Sequence, residues 1–173
     1  MIKNMRRGRH GEILARRAIE DRGFAVHDAN IIFSANCPNI DLVVFTKTGA
    51  LYLQVRWSEK PASRDGIIVD GSPWTDGQLH GAAPIFNKHD HYQATLVMLV
   101  DKMRDGKIDF YVAPPERLES LVRNRAVAFA ARPKKDGTAR SIKFRKELPR
   151  ELLAPWLNAW HLLGEGAHEP DSI

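Results

Sequence analysis

Two short runs, residues 40–46 (IDLVVFT) and 51–56 (LYLQVR), constrain this chain more than any other feature. Both are rich in β-branched and aromatic residues, and the few residues between them include Gly49, so they form a β-hairpin. Strand side chains alternate between faces. Placing Ile40, Leu42 and Val44 against Leu51, Leu53 and Val55 makes one continuous apolar layer and sends Asp41, Gln54 and Arg56 to the other face. Either register that respects the alternation puts Asp41 opposite Gln54 or Arg56. The polar trio is what remains once the core face is assigned.

The flanking sequence supplies the rest of an α/β order. Residues 7–22 carry Ile13, Leu14, Ala15, Ala18 and Ile19 at helical spacing and stop at Gly23. A strand is expected over 24–33, a loop over 34–39 and a long irregular excursion over 57–83, where Gly, Ser, Asp and Pro are frequent. A short helix over 84–92 precedes an apolar strand at 94–100, a strand at 109–113, and a helix from Pro115 to about residue 123. Residues 126–132 and 141–146 read as a second hairpin around Asp136-Gly137. Residues 149–163 read as helical, with Pro155 breaking or restarting the helix. A frayed tail follows from 164. The fold class expected is α/β: a mixed central sheet flanked by helices, in the order α-β-β-β-α-β-β-α before a C-terminal hairpin and helix. The domain division expected is 1–147, with 148–173 as a helix and tail packed on the same body.

Composition excludes several classes. The one cysteine, Cys37, rules out a disulfide framework and a cysteine zinc site. No apolar run approaches the roughly 18–20 residues of a membrane span. The basic N-terminal stretch lacks the apolar core of a signal peptide, so a cytoplasmic protein is the default expectation. The 173 residues carry a net charge of +5. Residues 1–22 hold seven Lys/Arg against three acids, and residues 132–146 hold seven against one. Such patches suit a polyanion, here nucleic acid, with Arg6, Arg7, Arg9 and Lys60 as the candidate contacts.

Glu12 shares one side of its helix with Ala15, Arg16 and Ile19 and can lean toward the sheet. Two carboxylates, Glu12 and Asp41, with the amide oxygen of Gln54, would suit Mg²⁺, which prefers oxygen ligands. His80, His89 and His91 have no spacing that matches a metal motif. Trp57 and Trp74 are expected to cover the core. Trp156 and Trp160 are expected to pack on the body or on a second subunit, as in a homodimer.

The motifs GRHGE (8–12), PNIDLVV (38–44) and LQVR (53–56), followed by KHDHY (88–92) and DFYVAP (109–114), resemble in order and spacing the PD-(D/E)XK nuclease superfamily. The likeness is to its restriction-endonuclease-like and Holliday-junction-resolvase-like members and spans roughly residues 6–122. It implies a restriction-endonuclease-like αβββαβ core, DNA as partner, and Mg²⁺-dependent endonuclease activity hydrolysing phosphodiester bonds. Glu12, Asp41, Gln54 and Arg56 would then be the catalytic set. Gln54 and Arg56 stand where that family has Glu and Lys. An amide can still offer a neutral oxygen, whereas Arg, unlike Lys, is effectively always protonated and is a poor base. Lys60 is a candidate replacement. Three functions follow as expectations: a metal-dependent nuclease, a nuclease-fold binding protein without catalysis, or a subunit-interaction protein.

Overall fold

The computed structural model describes residues 2–34, 36–58, 66–81, 83–90, 92–138 and 146–164, with backbone alone for 2–8. In chain order the elements are α1 (Ile2–Glu20), β1 (Ala25–Asp28), α2 (Ala29–Ile32), β2 (Leu42–Thr46), β3 (Gly49–Ser58), β4 (Gly66–Asp70), α3 (Asp76–His80), β5 (Leu96–Lys102), β6 (Ile108–Ala113), α4 (Pro115–Ala130), β7 (Lys146–Pro149) and α5 (Arg150–Leu153). Two 3₁₀ turns, Ala154–Trp156 and Trp160–Leu163, close the described chain.

The architecture is α/β. Five strands form a mixed sheet in the order β1-β2-β3-β5-β6. The pairs β1–β2, β2–β3 and β5–β6 are antiparallel, and β3–β5 is parallel. The first three strands are therefore a meander, as the alternation predicts. A separate ribbon pairs β4 with β7.

Two apolar layers sandwich the sheet. On one face Ala15 and Ile19 of α1 meet Leu42, Val44, Leu53, Val55, Met98 and Val112. On the other, β4, β7 and α4 cover β5 and β6 through Ile67, Val69, Leu148, Leu118 and Val122. A smaller cluster, Ala29, Cys37, Ile40 and Val43 with Phe33, Phe45 and Tyr52, covers the β1–β2 side of that second face. Ile40 thus joins the second face, not the layer of Leu42 and Val44, because residue 40 precedes the strand and escapes its alternation.

Several expectations are corrected. The strand foreseen over 24–33 ends at Asp28, whose carboxylate accepts the Asn30 N–H (2.8 Å) and caps α2. The helix foreseen over 84–92 does not form. Ile85 and Phe86 instead donate their N–H groups to Glu119 Oε1 (2.8 and 2.9 Å). The first arm of the second hairpin, 126–132, is the end of α4 and the turn after it, because Leu118, Val122 and Ala126 repeat at helical spacing on a buried face. Residues 141–145 lie outside the described residues, and Lys146 pairs with β4. The excursion 57–83 holds β4 and α3, the latter opened by a Thr75–Gln78 capping box. The C-terminal helix breaks at Pro155 into α5 and 3₁₀ turns, and Trp156 and Trp160 pack on the body. This segment also covers the β6 edge, where Asn158 N–H donates to Phe110 O (2.7 Å).

Helix α1 approaches β3 closely at Gly11. A Cβ there would lie 2.6 Å from Trp57 Cβ. In an isolated helix Gly→Ala gains about 1 kcal/mol. Here the sign should reverse: Gly11→Ala is expected to lose about 1–3 kcal/mol through overpacking. Urea unfolding of the variant checks it, and a stabilised variant would show that α1 does not sit this close.

Candidate functional site at the end of β2

Strand β3 has ten residues and β2 five, so β3 runs on past the β2 end, paired there with β5. The last ladder pair is Leu42↔Leu53. Beyond it Asp41 N–H donates to Leu53 O (2.8 Å), and Asp41 O accepts from Ala29 N–H (3.0 Å). The Asp41 carboxylate then takes the Val55 N–H at 2.6 Å. A notch opens where β2 leaves β3, with the Asp41 side chain spanning it. The Leu42↔Leu53 pair belongs to the register that would set Asp41 beside Gln54, one of the two open from sequence, but Asp41 itself lies outside the ladder.

Gln54 and Arg56 share a face of β3, as expected. It is not the face under α1, which belongs to Leu53, Val55 and Trp57. Gln54 and Arg56 lie on the second face, between the cover of β5–β6 and the small cluster over β1–β2. Gln54 is only 2% exposed, and its Oε1 has no hydrogen-bond partner among the described residues. Arg56 is half-buried and makes no hydrogen bond or ion pair among the described residues.

Glu12 reaches the notch from the α1 side. It is half-buried, one turn before Ala15, beside the Gly11–Trp57 contact. His10 packs edge-on against Trp57, with centroids 5.1 Å apart. Burial raises the Glu12 pKa, the Asp41 and Asp28 charges raise it further, and Arg9 opposes them. Burial also raises Asp41, against the Val55 hydrogen bond and the Arg56 charge, with Asp28 adding to the rise.

Asp28 is the member that sequence reasoning missed. It is paired with Leu42 across β1–β2, one residue from Asp41, and its charge acts on both acids. The signal was available: an Asp ending the strand that neighbours the Asp41 strand. The α2 cap concealed it.

Arg9 is exposed; Arg6 and Arg7 lie on the first turns of α1, with only their backbone described; Lys60 and His91 are outside the described residues. Trp57 and Trp74 pack against the core. The Cys37 thiol is buried, and burial with the Asp28 charge raises its pKa, which disfavours a thiolate.

Among the described residues no three His, Cys, Asp or Glu side chains are gathered so as to hold a metal ion by themselves. The donors at the notch nevertheless suit a hard cation. Burial with the Asp41 and Asp28 charges outweighs Arg9 at Glu12, burial with Asp28 outweighs the Val55 bond and Arg56 at Asp41, and the buried Gln54 amide oxygen has no partner among the described residues. Asp41, with Glu12 from the α1 side, would hold such an ion, with water completing its shell, while Gln54 stands on the face opposite α1.

Comparison with known proteins finds no matching family model, no matching curated protein and no matching solved structure. Among the described residues no helix is long and apolar enough to cross a membrane.

The raised acids fix a pH dependence. Between the ordinary and the raised pKa the folded state keeps a proton that the unfolded chain has lost, so stability falls as pH rises through that window. Glu12→Gln removes the Glu12 share. Its Tm is expected to exceed that of the wild type at about pH 8 and to converge with it near pH 4, where both carboxyls are largely protonated. Calorimetry across that range checks it, and an equal difference at both ends would show that the Glu12 charge is not strained.

Proposed function

We propose that this chain is a nucleic-acid-binding protein of the PD-(D/E)XK nuclease type, with DNA as its partner and Mg²⁺ at the Asp41 notch. The observation that carries the reading is the buried Gln54 oxygen, without a partner among the described residues, in the residue next to Val55, whose N–H the Asp41 carboxylate accepts. The unpaired guanidinium of Arg56 stands on the same strand face, where it can meet a phosphate. When bound, a divalent ion supplies an activated water and offsets charge on a scissile phosphate. Asp41 and Glu12 contribute the negative charge that attracts the ion. Gln54 contributes a neutral oxygen, and Arg56 orients and neutralises the phosphate. Arg9, with Arg6 and Arg7, extends the basic surface along α1.

Thermal unfolding with and without Mg²⁺ tests the cation site. Occupancy at about 100 times Kd adds about 2.7 kcal/mol of stability. Asp41→Asn keeps an oxygen for the Val55 N–H but removes the charge, and it is expected to abolish most of that gain. A full Mg²⁺ shift in this variant would place the ion elsewhere.

A second reading, binding without turnover, is favoured by Arg56, which holds its proton at neutral pH where metal-assisted attack needs a proton acceptor. Wild-type cleavage of plasmid or branched DNA should therefore be very weak. Arg56→Lys, with or without Gln54→Glu, should raise it by up to about 10²–10⁴-fold, the span of general-base catalysis. Robust wild-type cleavage lost in Lys60→Ala would assign the base to Lys60. Binding itself should weaken steeply with salt. Neutralising Arg6, Arg7 and Arg9 should flatten the slope of log K against log salt by about 2–3. A flat response in the wild type would remove nucleic acid as the partner.

A further inference from the structure

We infer that an aromatic cluster beside the notch is a stacking platform for a nucleobase, so that the partner is engaged as a single strand. The inference rests on the nucleic-acid reading and names the form of the substrate. Tyr92 and Phe33 have ring centroids 4.6 Å apart at 41°, and Phe33 lies 5.8 Å from Tyr52. Tyr52 sits on the β3 face that carries Gln54 and Arg56, so the three side chains follow one another at about 7 Å steps. One stripe thus passes from aromatic rings, through the amide and carboxylate of the notch, to an unpaired guanidinium.

The outer ring is held in place. Tyr92 has φ +56°, a left-handed conformation costly for a tyrosine, yet the residue is 41% exposed. The loop around it is fixed from several sides. Asn87 Nδ2 donates to Ala94 O (3.0 Å), and Ala94 N–H donates back to Asn87 Oδ1 (2.7 Å). His89 O accepts from Asn39 Nδ2 (2.8 Å), two residues before Asp41, and from Gln93 Nε2. The exposed Ile31 and Ile32 precede Phe33 and extend the apolar surface. An apolar protein partner would be met by an apolar face with a polar rim. Here the apolar surface leads along β3 to a buried amide and an unpaired cation. That order matches a base followed by its phosphate.

The test compares binding of a single-stranded oligodeoxynucleotide, the same strand with abasic sites, and the corresponding duplex, by fluorescence anisotropy in Mg²⁺. Tyr92→Gly suits the left-handed backbone and so preserves the fold; Tyr92→Phe keeps the ring. Tyr92→Gly should weaken single-strand binding by about 5- to 150-fold, the worth of one stacked base. Tyr92→Phe should restore it. The abasic strand should bind wild type and Tyr92→Gly alike, and duplex affinity should not change. Equal loss on the abasic strand or the duplex would overturn the inference, as would no loss at all. Concentration-dependent self-association abolished by Tyr92→Gly would assign the surface to a second copy of the chain instead. Salt-dependent wild-type binding with no Tyr92 effect overturns the platform alone, whereas no wild-type binding at low salt overturns the nucleic-acid reading with it.

Discussion

The hydrogen bond from Val55 N–H to the Asp41 carboxylate, 2.6 Å long, is the constraint around which this molecule is arranged. β3 outruns β2, and Val55 is nearly buried, so its amide would otherwise lose a partner at the point where the sheet is most enclosed. The carboxylate closes the gap and fixes the direction in which the chain enters β2. From that entry follow the Asp41–Leu53 and Ala29–Asp41 backbone bonds, the position of α2, and the line of Gln54 and Arg56 on the opposite face from α1.

The second face is held by charges that are fully engaged. Lys146 is completely buried, yet its ammonium reaches Asp70 Oδ2 (2.9 Å), Ser72 Oγ (3.0 Å) and Pro73 O (3.1 Å). Burial alone raises the Asp70 pKa, but hydrogen bonds from Ser72, Lys146 and Lys88 outweigh it and hold the carboxyl well below the usual range. Glu119 binds two backbone amides and Arg123, and Arg150 binds Asp101. These contacts fasten the β4–β7 ribbon, the 83–86 segment and α5 over β5 and β6.

The meander, the parallel β5, β6 and the start of α4 were legible because each is a local pattern: alternation, a short apolar run, or a proline at a helix start. What was not legible depends on distant partners. β4 pairs with a strand whose Lys146 meets Asp70 76 residues along the chain, and no local period announces that. A short helix was expected over 84–92, but Glu119 takes the Ile85 and Phe86 amides from 33–34 residues away. At the site, alternation placed Gln54 and Arg56 together and put Asp41 beside Gln54 in one of the two registers it allowed. It could not say which face α1 would cover. Nor could it bring in Asp28, whose adjacency to Asp41 depends on the β1–β2 register.

The distribution of charge separates the notch from ordinary structure. Asp70, Glu119 and Asp101 each have a cation in contact. Glu12, Asp28 and Asp41 make no ion pair among the described residues; burial raises the pKa of Glu12 and of Asp41, and the Asp28 charge adds to both. Asp41 alone could be read as a cap for Val55, but an asparagine oxygen would accept that bond without bringing a charge into a half-buried position. Asp28 likewise serves as a cap that asparagine would fill as well. Capping therefore accounts for the oxygen atoms and not for the charges. On the proposed reading, a cation at the notch would offset these charges. Arg56 lies beyond these acids on β3, where its charge lowers the Asp41 pKa and its guanidinium, on the proposed reading, would meet a phosphate.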